Sequence, residues 1–156
     1  MSVGRIRHGV VAAVSGVAVL SLWAPQAAAD PGGGLGGCQH GGMLSGTRIP
    51  GTGSAGQSVR READLWGCSS PLLPGIVSGH FSAELPFNSL DAPSMGQFAW
   101  ADGSVSTVIA QPNALWTITG GPGSGHTFRF NLAGEMNVWW YHWDNSMPVD
   151  SMIFLE

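Results

Sequence analysis

Lysine is absent from this 156-residue chain, and its six cationic side chains are all arginine. Only four lie beyond Ala29, namely Arg48, Arg60, Arg61 and Arg129, against ten carboxylates, for a net charge of −6. A surface of that sign offers no basic footprint for a phosphate backbone and no polybasic stripe for an anionic membrane. Neither nucleic acid nor anionic lipid is therefore an expected partner. The missing lysine also disqualifies the glycine run Gly120–Gly125 as a phosphate cradle, which needs a lysine and a following helix; the run reads as a loop between strands. Arginine without lysine, together with 24 glycines, is the residue usage of a GC-rich genome.

Long apolar runs are also missing. The longest, Val10 to Trp23, is about 14 residues, whereas a spanning helix needs roughly 20. Arg5 and Arg7 precede it, and Pro25 and Ala27-Ala28-Ala29 follow, the order of a positive segment, a greasy core and a small-residue cleavage box. Residues 1–29 are accordingly expected to be a secretory signal removed before Asp30; the competing reading is an uncleaved anchor. What remains, residues 30–156, has the length of one domain and leaves no membrane anchor after cleavage.

Cysteine is nearly absent as well, with only Cys38 and Cys68. In an exported chain the two are expected to pair, and closing that loop stabilises the fold by about 3.6 kcal/mol in the chain-entropy treatment. The alternative, Leu35-Gly36-Gly37-Cys38 as a lipobox, would place the acylated cysteine well downstream of the apolar core and strand Cys68. Secretion, with association to the cell wall as one outcome, is the expected localisation.

No amphipathic helix and no internal repeat is evident, and the pattern is that of short strands. Residues 30–42 are glycine-rich and expected to be flexible. Met43 to Ile49 reads as a strand ended by Pro50-Gly51, and Val59 to Trp66 as a second, although Arg60 to Ala63 reads equally well as a turn of helix. Ile76 to Leu85 alternates cleanly between apolar and polar residues. Gln97–Ala101 and Ser104–Ile109 flank Asp102-Gly103, a pair that favours a two-residue type I′ hairpin. That loop sets Trp100 opposite Val105 and Phe98 opposite Thr107, and gathers Phe98, Trp100, Val105, Thr107 and Ile109 on one face. Leu115 to Thr119, Thr127 to Leu132, Met136 to Trp143 and Ser151 to Leu155 complete seven or eight strands. The expected fold is all-β, an antiparallel sandwich or barrel.

Catalytic spacing is the last thing lacking. His40, His80, His126 and His142 form no zinc pattern; His142 and Asp144 would supply two ligands without a third. No serine lies in G-x-S-x-G. Glu84, Asp91, Asp102, Glu135, Asp144 and Asp150 could contain a glycosidase pair only if folding sets two of them at the right separation. No metal and no cofactor is expected. The one unusual segment is Trp139-Trp140-Tyr141-His142-Trp143, which on a strand puts Trp139, Tyr141 and Trp143 on one face, a platform for sugar rings or for a partner if it is exposed.

Cys38 and Cys68 about thirty residues apart, Ile76-Val77-Ser78-Gly79-His80-Phe81-Ser82, and above all Phe98-Ala99-Trp100-Ala101-Asp102-Gly103-Ser104-Val105-Ser106-Thr107 resemble small exported proteins of actinobacteria. Those carry a signal peptide, one N-terminal disulfide and a W-x-D-G-x-x-S hairpin. The resemblance covers roughly Cys38 to Leu132 and implies an all-β exported domain; it carries no functional residue across, and the aromatic segment after Gly134 departs from it. The expected function is a secreted or wall-associated, non-enzymatic β domain that binds an envelope glycan or another protein, with an extracytoplasmic hydrolase acting on glycan or ester as the alternative.

Overall fold

The computed structural model describes residues 34–51, 56–87, 93–134 and 146–156. The expected signal segment, residues 1–29, and the aromatic segment expected to form a strand with Trp139, Tyr141 and Trp143 lie outside the described residues. Nine strands run through the described part: β1 (Gly37–Gly41), β2 (Met43–Pro50), β3 (Gln57–Ser69), β4 (Ser78–Pro86), β5 (Met95–Trp100), β6 (Val105–Gln111), β7 (Leu115–Gly120), β8 (Thr127–Leu132) and β9 (Met147–Leu155). A short 3₁₀ turn, Pro112–Ala114, links β6 to β7.

From β3 onward each strand pairs antiparallel with the next in sequence, and the sheet closes because β9 returns to β1 and β2, which pair with β3 on their other side. β1 and β2 share one position in the ring. The register shifts by one residue between them, from Gly41↔Leu65 to Ser45↔Glu62. Gly42 sits at the shift and keeps both ladders bonded, its N–H to Asp64 O at 2.8 Å and its carbonyl to the Val149 N–H at 2.9 Å. The result is an up-and-down barrel of eight positions, closed where β9 meets β1 and the start of β2; among the described residues Ser45–Pro50 pair with β3 alone.

Alternation decides what lies inside. On β3, Val59, Arg61, Ala63 and Leu65 are buried while Arg60, Asp64 and Trp66 are exposed, so the ambiguous Arg60–Ala63 stretch is strand. β4 turns Phe81, Ala83 and Leu85 inward and His80 and Glu84 outward. Phe81 meets Phe98, Trp116 and Phe130 with ring centroids 5.2, 5.2 and 4.9 Å apart, and Phe98 stacks on Trp100 at 4.6 Å. Phe128 touches Phe98 and Phe130 at 5.2 and 5.6 Å. Rings in edge and stacked contact fill the middle of the barrel, as in the narrow barrels whose interior is packed with side chains. Gly79 makes this packing fit, because a Cβ there would lie 2.4 Å from Cε3 of the buried Trp100.

The glycine-rich N-terminal stretch is strand rather than loose chain from Gly37 onward. Cys38 faces Cys68 directly across β1 and β3, and the two form the expected disulfide. At the other end of the sequence the final strand begins at Met147, earlier than its apolar residues imply. Pro148 is tolerated at its second position, near a strand end where a missing N–H costs least.

The β5–β6 hairpin differs from its expected register by one residue. Phe98 pairs with Ser106 and Ala99 with Val105, so Ser106 and Val108 are buried and Val105 and Thr107 face solvent. The loop has three residues, Ala101-Asp102-Gly103, closed by Trp100 N–H to Ser104 O at 2.9 Å and Gly103 N–H to Trp100 O at 2.9 Å. Only Gly103 takes a positive φ, +86°, which makes a type I turn with a glycine bulge in place of the type I′ turn. Asp102 fixes that choice by accepting from the Ser104 N–H at 2.9 Å and the Ser104 hydroxyl at 2.6 Å. Burial of the Trp100 indole then demands an acceptor, and Ser106 Oγ supplies it at 2.7 Å while donating to Pro122 O at 2.7 Å. A serine, not the more apolar Val105, is what the inner face requires.

Candidate functional site

The centre of the barrel is filled by packed rings, and its outer faces are open to a ligand. Exposed residues of β3, β4 and β5 form the most distinctive of them. Arg60, Glu62, Asp64 and Trp66 project outward along β3, opposite Glu84, Ser82, His80 and Ser78 of β4. On β5 the neighbours are Met95, Gln97 and Ala99.

Trp66 is 46% exposed, an uncommon state for an indole in a strand that pairs on both sides. Its ring lies 6.2 Å from that of His40 at an interplanar angle of 31°, and much of it stays in water. Next along the strip, His80 Nδ1 and Asp64 Oδ1 are 2.8 Å apart, and Glu62 Oε1 lies 4.0 Å from His80 Nε2. Asp64 thus orients the imidazole through Nδ1, while Glu62 stands beyond hydrogen-bond distance on its other side.

At the far end the strip opens into a shallow dish of about 340 Å³ walled by Arg60, Glu84, Met95 and Gln97, with Ser82 in its lining. Arg60 and Glu84 are directly opposite in register yet form no ion pair. Neither they nor Ser82 and Gln97 make a side-chain hydrogen bond within the described structure. Met95, 61% exposed, supplies an apolar wall.

Several kinds of chemistry can be weighed against this geometry. An imidazole oriented by a carboxylate is the base-and-orienter half of a nucleophilic triad. Among the described residues, however, no hydroxyl is bonded to His80, and its second nitrogen faces Glu62. Among the same residues no three His, Cys, Asp or Glu side chains are grouped to hold a metal ion. What the strip does offer is a flat apolar ring, paired hydrogen-bonding groups and an open groove, the elements of polar ligand recognition.

The sequence-derived candidates are distributed unevenly. Trp139, Tyr141, Trp143, His142 and Asp144 lie outside the described residues, as do Asp91 and Glu135. Glu84 and His80 are brought into the strip. Asp102 is drawn away to its turn, where the Ser104 hydroxyl and then the Ser104 N–H hold its carboxyl below the ordinary aspartate value. Trp66, Asp64, Glu62 and Arg60 were not singled out by sequence motifs. Their alternation against Val59, Arg61, Ala63 and Leu65 is the signal that groups them.

Arg61 is the other residue without a sequence flag. It is fully buried on the inner face of β3, between Gly46 and Ala83 in register, and it has interaction partners. The small residues on both sides leave room for its long side chain, so it belongs to the interior and not to the outer strip.

No protein-family model, curated protein or solved structure matches this chain.

Proposed function

We propose that this is an exported, non-enzymatic binding domain of the cell envelope, and that it holds a glycan on the outer face of β3–β5. Trp66 carries the reading: a half-exposed indole costs hydrophobic burial, and it stands beside hydrogen-bonding groups that suit a sugar ring stacked on its face. The disulfide between Cys38 and Cys68 fits an oxidising, extracytoplasmic location, and the signal-like N-terminal sequence supports export to it.

Titration calorimetry with soluble envelope glycans tests this. Wild type binds, and Trp66→Ala weakens binding about tenfold, the equivalent of roughly 1.4 kcal/mol and within the range of one aromatic contact. Loss of binding in Trp139→Ala or Trp143→Ala, with Trp66→Ala unaffected, would move the platform to the segment read from sequence. Absence of binding by wild type rejects the glycan. The hydrolase reading has one observation in its favour, the 2.8 Å His80–Asp64 contact. Turnover of esters or glycosides that disappears in His80→Ala would establish it.

A further inference from the structure

We infer that the binding surface is the whole strip from Trp66 to the Arg60–Glu84 dish, and that its ligand is a linear, electrically neutral oligosaccharide. This rests on the glycan reading above and adds ligand class, length and direction to it.

Length comes from strand geometry. Trp66 and Arg60 are six residues apart on one face of β3, which at roughly 3.3 Å per residue is about 20 Å. That is far longer than one sugar ring needs and suits an extended oligosaccharide lying along the strand. The same run on β4, from Ser78 to Glu84, keeps pace with it because the two strands are in continuous register from Ser58↔Pro86 to Trp66↔Ser78.

Class comes from charge and from unused hydrogen-bonding capacity. Glu62, Asp64 and Glu84 outweigh Arg60 along the strip, so a uronate or phosphate polymer meets net repulsion. At the dish, Arg60 donates only, Glu84 accepts only, and Ser82 and Gln97 do both, and these four make no side-chain bonds with one another. A sugar hydroxyl donates and accepts at once, so it can bridge the guanidinium and the carboxylate that stand opposite each other without meeting. At the other end Trp66 provides the stacking surface, which fixes one ring and leaves the rest of the chain to run toward Arg60.

The test is calorimetric titration of the folded domain with N-acetylated chito-oligosaccharides from disaccharide to hexasaccharide. Affinity is expected to rise at least fivefold over that series. In a Glu84→Gln/Gln97→Ala double variant, exposed positions that leave the barrel intact by circular dichroism, the hexasaccharide is expected to fall to the disaccharide's affinity while the disaccharide itself is unchanged. Trp66→Ala weakens every length. A wild type whose affinity does not grow with length, or a double variant that keeps the gain, overturns the strip and leaves the glycan reading standing. No binding at any length defeats both. An oligogalacturonate of equal length that binds as tightly as the chito-oligosaccharide overturns the assignment of a neutral ligand.

Discussion

Replacing Ser106 with alanine probes the inner face of the β5–β6 hairpin. The Ser106 hydroxyl accepts from the Trp100 indole N–H and donates to the Pro122 carbonyl, both at 2.7 Å, and Ser106 and Trp100 are buried. Ser106→Ala leaves a buried donor and a partly buried acceptor without partners, at about 1–3 kcal/mol for each such group. Relaxation around the smaller side chain recovers part of this, so the expected loss is about 2–4 kcal/mol, with an m-value that does not change. Guanidinium unfolding followed by far-UV circular dichroism, with the disulfide intact, reads it out as a lower midpoint. Thr107→Ala is the control: Thr107 bonds Thr119 across the exposed outer face at 3.0 Å, and its loss should cost no more than about 0.5 kcal/mol. The two-residue turn would exchange these roles, with Ser106 in water and Thr107 in the core. A Ser106→Ala variant within about 0.5 kcal/mol of wild type would refute the observed register.

Other consequences can be checked with the same assay. Gly79→Ala puts a Cβ 2.4 Å from the Trp100 ring and should destabilise by about 1–3 kcal/mol, whereas Gly75→Ala meets no neighbouring atom and is limited by its backbone conformation alone; equal packing cost at both positions, seen as equal loss on changing alanine to valine, would count against the packed interior. Removing both cysteines as serine should cost about 3.6 kcal/mol by loss of the 30-residue closure, and a midpoint that does not move would mean the bond is not formed in the folded protein. The Asp102 carboxyl is held below the ordinary aspartate value by Ser104. Its contribution is therefore complete above that ordinary value and lost as pH falls through the lowered one. Stability measured from about pH 5 downward should decline less steeply in Asp102→Asn than in wild type, and superimposable acid limbs would contradict the assignment.

Much of the fold was legible because it rests on local alternation. Ile76 to Leu85, Leu115 to Thr119 and Thr127 to Leu132 show their inner faces in sequence, and β4, β7 and β8 follow them closely. Closure was not legible: whether the strands make a sandwich or a ring depends on β9 reaching β1 and β2, a pairing across more than a hundred residues with no local signature. The β5–β6 register escaped for a different reason. Both faces of β6 carry apolar residues, Val105 and Ile109 on one and Val108 and Ala110 on the other. Side-chain hydrogen bonds, of Asp102 within the turn and of Ser106 to the buried Trp100 indole, fit one register and not the other, and hydropathy does not record them. The strip was missed because its members are spread over three strands and become neighbours only in register. Trp66 in particular reads as one more apolar strand residue until its neighbours on the outward face are known.

The most direct test of a glycan site on β3–β5 is the backbone amide NMR spectrum of the ¹⁵N-labelled domain during titration with a neutral oligosaccharide. Shifts should concentrate at Trp66, His80, Ser82 and Gln97, with the Trp66 indole signal moving most and the amides of the buried Phe128 and Phe130 staying still. Shifts gathered on other faces, or a spectrum untouched at saturating sugar, would contradict the account.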